Sequence, residues 1–467
     1  MQSLRFWCAL AGLASVVLGA HAHQAPESEP GDPATHDVTA FIDTHVVPMD
    51  RERELDHQTV LVADGRIVAM GPAGKVKIPA EARRIDARGE WLLPGLADMH
   101  IHVRVDDDLA LFIANGVTTA LHMGAAPSDM VALDRQAIAR GKLVGPQLFF
   151  AFLVDGSAAR GNAHVNTPQQ ARAMVQFAKA NDYDFIKVYN SIDAAEFSAI
   201  VEEAHSLEMA VIGHGVRAVG LPAALYQGQV MVAHGEEFYY TAFAHKIDDA
   251  AIPGVAAATR ASGAWVTPNL SGYESFAEQW GKPDVVAAFL RAPEMAYLSP
   301  QTRVDWSTSA YQFRKGSITD TLAFLRRFTR ALSDAGVPLL TGTDAPLPGL
   351  LPGYSEHDDL QALVDSGLTT YQALVAATRS PGEFIRKFVP AAEPFGVVGT
   401  GMRADLVLVR ENPLAQLQTL RAPVGVMAHG RWYDAAALAR LLEDRKERYA
   451  AVLCHEGERS LPRTPSQ

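Results

Sequence analysis

The sequence predicts an α/β protein: a (β/α)8 barrel with a small β-sandwich assembled from its amino- and carboxyl-terminal segments. Three observations carry that prediction. From about residue 95 to 395, apolar strand-like runs alternate with amphipathic stretches, the pattern of parallel βαβ units. Short β-like runs punctuated by turn residues lie before this region and return after it. No glycine-rich phosphate fingerprint follows any of the runs, which favours a closed barrel over an open doubly wound sheet.

The chain has 467 residues, 48% of them hydrophobic and 20% charged, which is ordinary for a globular enzyme. A formal net charge of -12 leaves no basic footprint, so a nucleic-acid partner is not expected. The opening MQSLRFWCALAGLASVVLGAHA combines Arg5, an apolar run from Phe6 to Ala20 and small residues at Ala20 and Ala22. It reads as a secretory signal over 1–22 with cleavage after Ala22, placing the mature protein in the periplasm or outside the cell. The apolar run is shorter than the ~20 residues a spanning helix needs, so no membrane insertion is expected after cleavage. Cys8 would leave with the signal, and Cys454 alone cannot form an internal disulfide. The polar segment His23 to His36 reads as a loose leader.

Residues 37–94, with DTHVVPM, QTVLVADGRIVAMG and WLLPG, form the first part of the sandwich, the Asp64-Gly65 pair marking a hairpin turn. The barrel takes 95–395, its eight strand runs being ADMHIHV, VTTALHMG, PQLFFAFLV, DFIKVYN, AVIGHG, QVMVAHG, AWVTPNL and PLLTGTDA. Helix starts fall between them: Thr167 before Pro168 as N-cap and first turn, and Asp193 with Glu196 as a capping box. Ser271 to Ser317, with Trp280 and Trp306, is long for a connection and is expected to cover the pocket mouth. The β pattern returns over 396–440 in GVVGTGMRADLVLVREN and APVGVMAHGRWYD, and 441–467 reads as a helix and tail.

His100 and His102 sit two apart on a strand run, so both imidazoles point to one side and can share a metal. Lys187 lies in DFIKVYN, where an ammonium aimed into a barrel is costly unless paired or chemically altered. A neutral amine there can add carbon dioxide to become a carbamate; snorkelling to the rim is the alternative. His214 closes AVIGHG and His234 closes QVMVAHG, at the carboxyl strand ends where barrel active sites lie. Asp344 ends PLLTGTDA and reads either as a metal-bound carboxylate or as a helix N-cap.

The order His-x-His, Lys, His, His, Asp along strands one, four, five, six and eight, with the RADLVLVRENP and GVMAHGRW segments, resembles the amidohydrolase superfamily, its imidazolonepropionase-like and prolidase-like members above all. The resemblance implies a metal-dependent hydrolase with a binuclear centre. His100, His102 and Asp344 would hold one ion and His214 and His234 the other, with carboxylated Lys187 bridging. Zinc is the default ion, and other divalent ions suit the same donors. A metal-activated hydroxide would attack a carbonyl, with Asp344 passing the proton to the leaving group.

Tyr189, two residues after Lys187, would face the same interior and donate to the substrate carbonyl or oxyanion, unless it is a packed core residue. His122 stands where relatives carry Arg or Asp. His164 and His357 lie in polar stretches, lining the mouth or exposed to solvent. The implied function is cleavage of a C–N bond in a small amide or peptide such as a dipeptide or N-acyl amino acid. Lactonase or phosphotriesterase chemistry on the same site is one alternative, and a non-catalytic binding protein the other. A homo-oligomer is compatible with the sequence.

Overall fold

In the computed structural model, which describes residues 38–103, 106–126, 128–158 and 163–460, the segments that flank the barrel meet in one sheet. The expected signal peptide and leader lie outside the described residues. Strands β1 (Val38–Val46), β2 (Leu55–Ala63), β3 (Arg66–Pro72), β4 (Arg83–Asp86) and β5 (Trp91–Pro94) precede the barrel. Asp64 and Gly65 both adopt positive φ (49° and 73°) between the paired residues Ala63 and Arg66, the two-residue turn that matches strand twist.

The barrel follows as parallel strands β6 (Leu96–Ile101), β7 (Val117–His122), β8 (Gln147–Asp155), β9 (Ala163–His164), β10 (Phe185–Val188), β11 (Ala210–Gly213), β12 (Gln229–Ala233) and β13 (Trp265–Thr267). Here β9 is a two-residue addition beside β8, and the barrel proper runs β6-β7-β8-β10-β11-β12-β13. Its parallel strands are buried almost throughout, as expected where both faces are covered.

The eighth run, PLLTGTDA, closes the barrel without becoming a regular strand. It touches its neighbours through isolated bridges, Val266 with Leu339 and Ile101 with Ala345. Leu340 N donates to Val266 O (2.9 Å), while Asp344 N donates to His100 O (2.7 Å) and His102 N to Ala345 O (2.7 Å), so the segment is the seam joining β13 to β6. Its irregularity has a local cause. Gly342 passes so close to β6 that a Cβ there would lie 2.8 Å from His100 Cβ, and Asp344 sits at φ 63°.

After the barrel, β14 (Leu406–Val409), β15 (Gly425–Ala428) and β16 (Arg431–Asp434) return to the first sheet. Among the described residues it has eight strands, in the order β16-β15-β14-β5-β1-β2-β3 with β4 beside β1. Phe41, Val60, Leu92, Leu406, Met427 and Trp432 fill its core. The buried pair Arg403 and Asp405 fastens this sheet to the barrel, since Arg403 Nη2 also donates to Thr119 Oγ1 on β7 at 2.6 Å. A terminal helix, Ala435–Ser460, follows.

The helix starts behave as expected. Thr167 Oγ1 accepts from Gln170 N ahead of Pro168, and Asp193 with Glu196 forms a reciprocal capping box. The stretch from 271 to 317 is helical rather than loop-like, with helices Leu270–Gln279, Pro283–Phe289 and Pro300–Ser307. Trp306 is buried among Leu111, Met295, Leu298 and Leu351, a small core that the insertion shares with the helix Leu109–Ala114 and the chain beyond Asp344. Its indole N–H donates to Pro346 O at 2.8 Å, and Gln279 Nε2 donates to Pro348 O at 2.7 Å. The insertion is therefore packed on the chain just beyond Asp344, at the carboxyl end of the barrel. No helix among the described residues is long and apolar enough to cross a membrane.

Candidate metal centre

The strand period sets the first pair. His100, on β6, is fully buried, and His102 follows two residues later on the same side, so their Nε2 atoms come within 3.2 Å of each other. Asp344 Oδ1, from the seam, lies 3.3 Å from His100 Nε2 and 3.2 Å from His102 Nε2. Donor atoms of these three residues all fall within 4.8 Å of one another. Lys187, 1% exposed on β10, brings Nζ to 3.4 Å from His100 Nε2. His234, just past β12, has Nε2 3.9 Å from Asp344 Oδ2, and its ring centre lies 4.5 Å from that of His100 and 4.7 Å from that of His214. All six side chains singled out in the sequence thus converge at the carboxyl end of the barrel, and Asp344 caps no helix.

The donor set suits a cation. Burial pushes His100 well below the usual imidazole range and His234 down to about 3, keeping their rings neutral with a lone pair to offer. Burial likewise lowers His214, although Glu237 pulls it back up. Burial also opposes the charge of Asp344, but the His102 hydrogen bond and nearby positive charge hold its carboxyl down at about 2. His102 Nδ1 lies 3.1 Å from Gly124 O and His214 Nδ1 lies 2.7 Å from Glu237 Oε1; with the proton on Nδ1 in each case, Nε2 would be free for an ion, which for His102 would replace the Nε2 contact with Asp344. His100 Nδ1 is buried with no hydrogen-bond partner among the described residues, while its Nε2 is crowded by other donors. Three converging Lewis bases in a largely buried pocket satisfy a divalent ion better than they satisfy one another.

Several supporting residues escaped the sequence reading. Asp98, fully buried, accepts from His100 N (3.1 Å), Thr343 N (3.0 Å) and Thr343 Oγ1 (2.6 Å), tying β6 to the seam; burial raises its carboxyl to about 7. Its position two residues before His100, on the same strand face, was the available signal. Glu237 accepts from His214 at 2.7 Å, from Asn190 Nδ2 at 2.9 Å and from Gly215 N at 3.2 Å. Next to it Glu236 is also largely buried, and its Oε2 has no hydrogen-bond partner among the described residues.

The remaining expectations divide. Tyr189 is half-buried at the end of β10, with its ring centre 3.9 Å from that of His214, so it reaches the cluster as expected of its spacing. His122 is buried behind His102, its Nε2 2.8 Å from Val103 O, and its ring lies against Phe150. His164 is exposed, with Nε2 3.1 Å from Gly156 O. His357 corrects the expectation of a mouth-lining or solvent-exposed residue. It is 4% exposed on the inner face of helix Tyr354–Asp365, because the helical period places it with Leu360 and Leu363 against the core, and burial pushes its ring down to about 3.

A cavity of about 910 Å³ lies elsewhere: Asp184, Ala210 and Val230 place it at the amino-terminal ends of β10, β11 and β12. Chemistry belongs to the convergent donors rather than to that space, since carboxyl strand ends carry barrel active sites.

Comparison with known proteins bears on the family and the fold. The model of the amidohydrolase family matches residues 91–433. The dihydroorotase of Geotalea daltonii is 30% identical over 182 residues, 35% of this chain and 41% of that one, so the match spans less than half of that relative's length. Among solved structures, bottromycin amidohydrolase superposes with a TM-score of 0.71 at 24% identity, covering 88% of this chain and 91% of the other. A Xaa-Pro dipeptidase with bound methionine in its active site superposes with a TM-score of 0.62 at 20% identity, covering 85% and 100%. At these identities the two structures speak to the fold.

Proposed function

The chain belongs to the amidohydrolase family, and from that premise we propose that it is a metal-dependent hydrolase cleaving the C–N bond of a small amide, such as a dipeptide or an N-acyl amino acid. The observation that carries this is the meeting of His100, His102 and Asp344 within one 4.8 Å cluster, with Lys187, His214 and His234 around it. As the resemblance to the family implies, His100, His102 and Asp344 would hold one ion and His214 and His234 a second, with Lys187 available to both. Zinc suits this N/O set. If the Lys187 amine gives up its proton, its nitrogen would add to carbon dioxide with loss of a second proton to give a carbamate oxygen donor. Divalent ions held here supply Lewis acidity, which makes water more acidic and polarises a carbonyl.

The protein's own groups do the rest. Asp344, ionised and beside His102, accepts a proton from the attacking water as its oxygen bonds to the carbonyl carbon. As the C–N bond breaks, the same carboxyl returns that proton to the leaving nitrogen, giving an acid and an amine without a covalent enzyme intermediate. Tyr189, ring against His214, donates to the oxyanion. Asp98 and Glu237 keep His100, the seam and His214 in place. Export to the periplasm or beyond, supported by the sequence of residues 1–22, would suit scavenging or detoxification.

The test is a turnover screen of the purified protein with metal content measured in parallel, against dipeptides, N-acyl amino acids, an ochratoxin, lactones and a phosphotriester. Amide cleavage abolished by a chelator and restored by zinc is the expected result. Turnover confined to lactones or the phosphotriester would replace the C–N assignment, and no metal with no turnover would overturn the enzyme.

A further inference from the structure

Asp344 sits at φ 63°, a backbone conformation that a residue with a side chain keeps only where its surroundings hold it. The seam that carries it is no regular strand, so side chains satisfy much of its backbone. Ahead of Asp344, Gly342 N donates to Asp359 Oδ2 at 3.2 Å, Gly342 O accepts from Asn269 Nδ2 at 2.6 Å, and Thr343 N donates to Asp98 Oδ1 at 3.0 Å. Beyond it, Pro346 O accepts from Trp306 Nε1 at 2.8 Å, and Pro348 O from Gln279 Nε2 at 2.7 Å and Ser275 Oγ at 3.0 Å.

These three donors beyond Asp344 all belong to the helical insertion. Asp359 joins the insertion to the other side of Asp344. It is fully buried on helix Tyr354–Asp365, and while its Oδ2 holds Gly342, its Oδ1 accepts from Ser271 N at 3.1 Å and Ser271 Oγ at 3.0 Å, in the first turn of helix Leu270–Gln279. Burial raises this carboxyl to about 6 against the pull of those three bonds, so at pH 8 it is ionised and both oxygens accept. One carboxylate thus ties the insertion to the seam two residues before Asp344, and the insertion grips the seam again two and four residues after it. Ser271, Ser275, Gln279 and Trp306 are all buried, so the grip is part of the packed interior.

We propose that the insertion is a clamp on the segment carrying Asp344, and that Asp359 is the positioning residue that closes it. The clamp sets where the Asp344 carboxylate stands against His100 and His102, whose Nε2 atoms lie 3.3 and 3.2 Å from its Oδ1. The proposal deepens the C–N hydrolase assignment and rests on it for the proton transfer by Asp344, though not for the holding of metal. Displacing such a group by as little as ~1 Å slows the reaction and leaves substrate contacts in place.

The experiment replaces Asp359 with Asn, which keeps the volume but turns an NH2 toward either Gly342 N or the Ser271 donors. In the holoenzyme at pH 8, kcat should fall about 10-fold or more with KM within about threefold. Zinc affinity, read by chelator competition, should fall about 10-fold, and the visible spectrum of the cobalt-loaded protein should change with it. Val60→Ala, a truncation in the core of the first sheet, controls for lost stability: with its own denaturation midpoint lowered, it should keep the wild-type kcat and zinc affinity. A fall in kcat or in zinc affinity that Val60→Ala does not share supports the clamp. Both within about threefold of wild type in Asp359→Asn, a rise in KM alone, or equal losses in Val60→Ala would overturn it. If Asp359→Asn does not fold, Trp306→Phe decides by the same readouts, since it keeps an aromatic ring in the core and loses the N–H bond to Pro346 O. If no amide is turned over, the C–N assignment fails by itself, while zinc affinity and the cobalt spectrum still decide the clamp.

Discussion

Replacing Glu237 with Gln tests whether the centre depends on a fixed imidazole tautomer. Oε1 accepts from His214 Nδ1 at 2.7 Å, while Oε2 accepts from Asn190 Nδ2 at 2.9 Å and Gly215 N at 3.2 Å. Gln has one carbonyl for these two duties. With its oxygen toward His214, its NH2 faces two donors in a site where Glu237 is 2% exposed. An unsatisfied buried donor costs about 1–3 kcal/mol, so stability should fall by that amount. With the amide reversed, its NH2 donates to His214 Nδ1, the ring proton moves to Nε2, and the lone pair offered to a metal is lost. Outer-shell partners of this kind are worth about 10–100-fold in metal affinity. That corresponds to about 1.4–2.8 kcal/mol, measurable by competition with a chelator of known affinity, with chemical denaturation reporting stability on the same samples. Metal affinity within about threefold of wild type, alongside lost stability, would show that Glu237 only holds the fold and would refute the tautomer mechanism.

Three further predictions are independent of this one. Asp344→Asn should lower kcat by about 10²–10⁴-fold while substrate affinity stays within about threefold; unchanged turnover at full metal loading would remove Asp344 from proton transfer. Burial raises the Asp184 carboxyl from 3.8 to about 6 against the pull of Arg135, so its folded value lies above its unfolded one. The stability of wild type relative to Asp184→Asn should therefore be greatest at low pH and decline by about 3 kcal/mol as pH rises from about 4 to 7, and parallel urea-midpoint profiles would contradict it. Trp306→Ala should cost about 3–5 kcal/mol in thermal or urea denaturation, because a 1%-exposed indole anchoring the insertion is removed; a loss below about 1 kcal/mol would mean the insertion does not share the barrel's cooperative unfolding.

The parts of the fold legible in the sequence were those with a strong local period or turn signal. Parallel strands announced themselves as apolar runs, the Asp64-Gly65 turn by its residue types, and the Thr167 and Asp193 caps by spacing. The six side chains of the cluster could be picked out because each interrupts or ends a run that ought to be apolar. What escaped depended on distance in space. Nothing local says that Asp98 spans to Thr343, or that Gly342 must clear His100 and so keep the eighth run from becoming a regular strand. His357 stood in a polar string, YSEHDD, whose helical period turns its ring inward only once a neighbouring face exists to receive it. The aromatic insertion hid its helices because Pro283, Pro293 and Pro300 break it into short pieces, each opening a turn.

The pairing of β5 with β14 also dictates an order of events as the chain is made. Pro94 lies opposite Leu406 and Trp91 opposite Val409, so the edge of β5 waits for most of the protein before its partner arrives. Until then its N–H and C=O groups are an open template, the kind that recruits foreign strands. A chain halted between residues 395 and 406 carries every metal-binding donor proposed above, yet leaves that edge uncovered. Such truncations should assemble a barrel and aggregate through their first sheet, and the last strands to be synthesised act as the lock on the first.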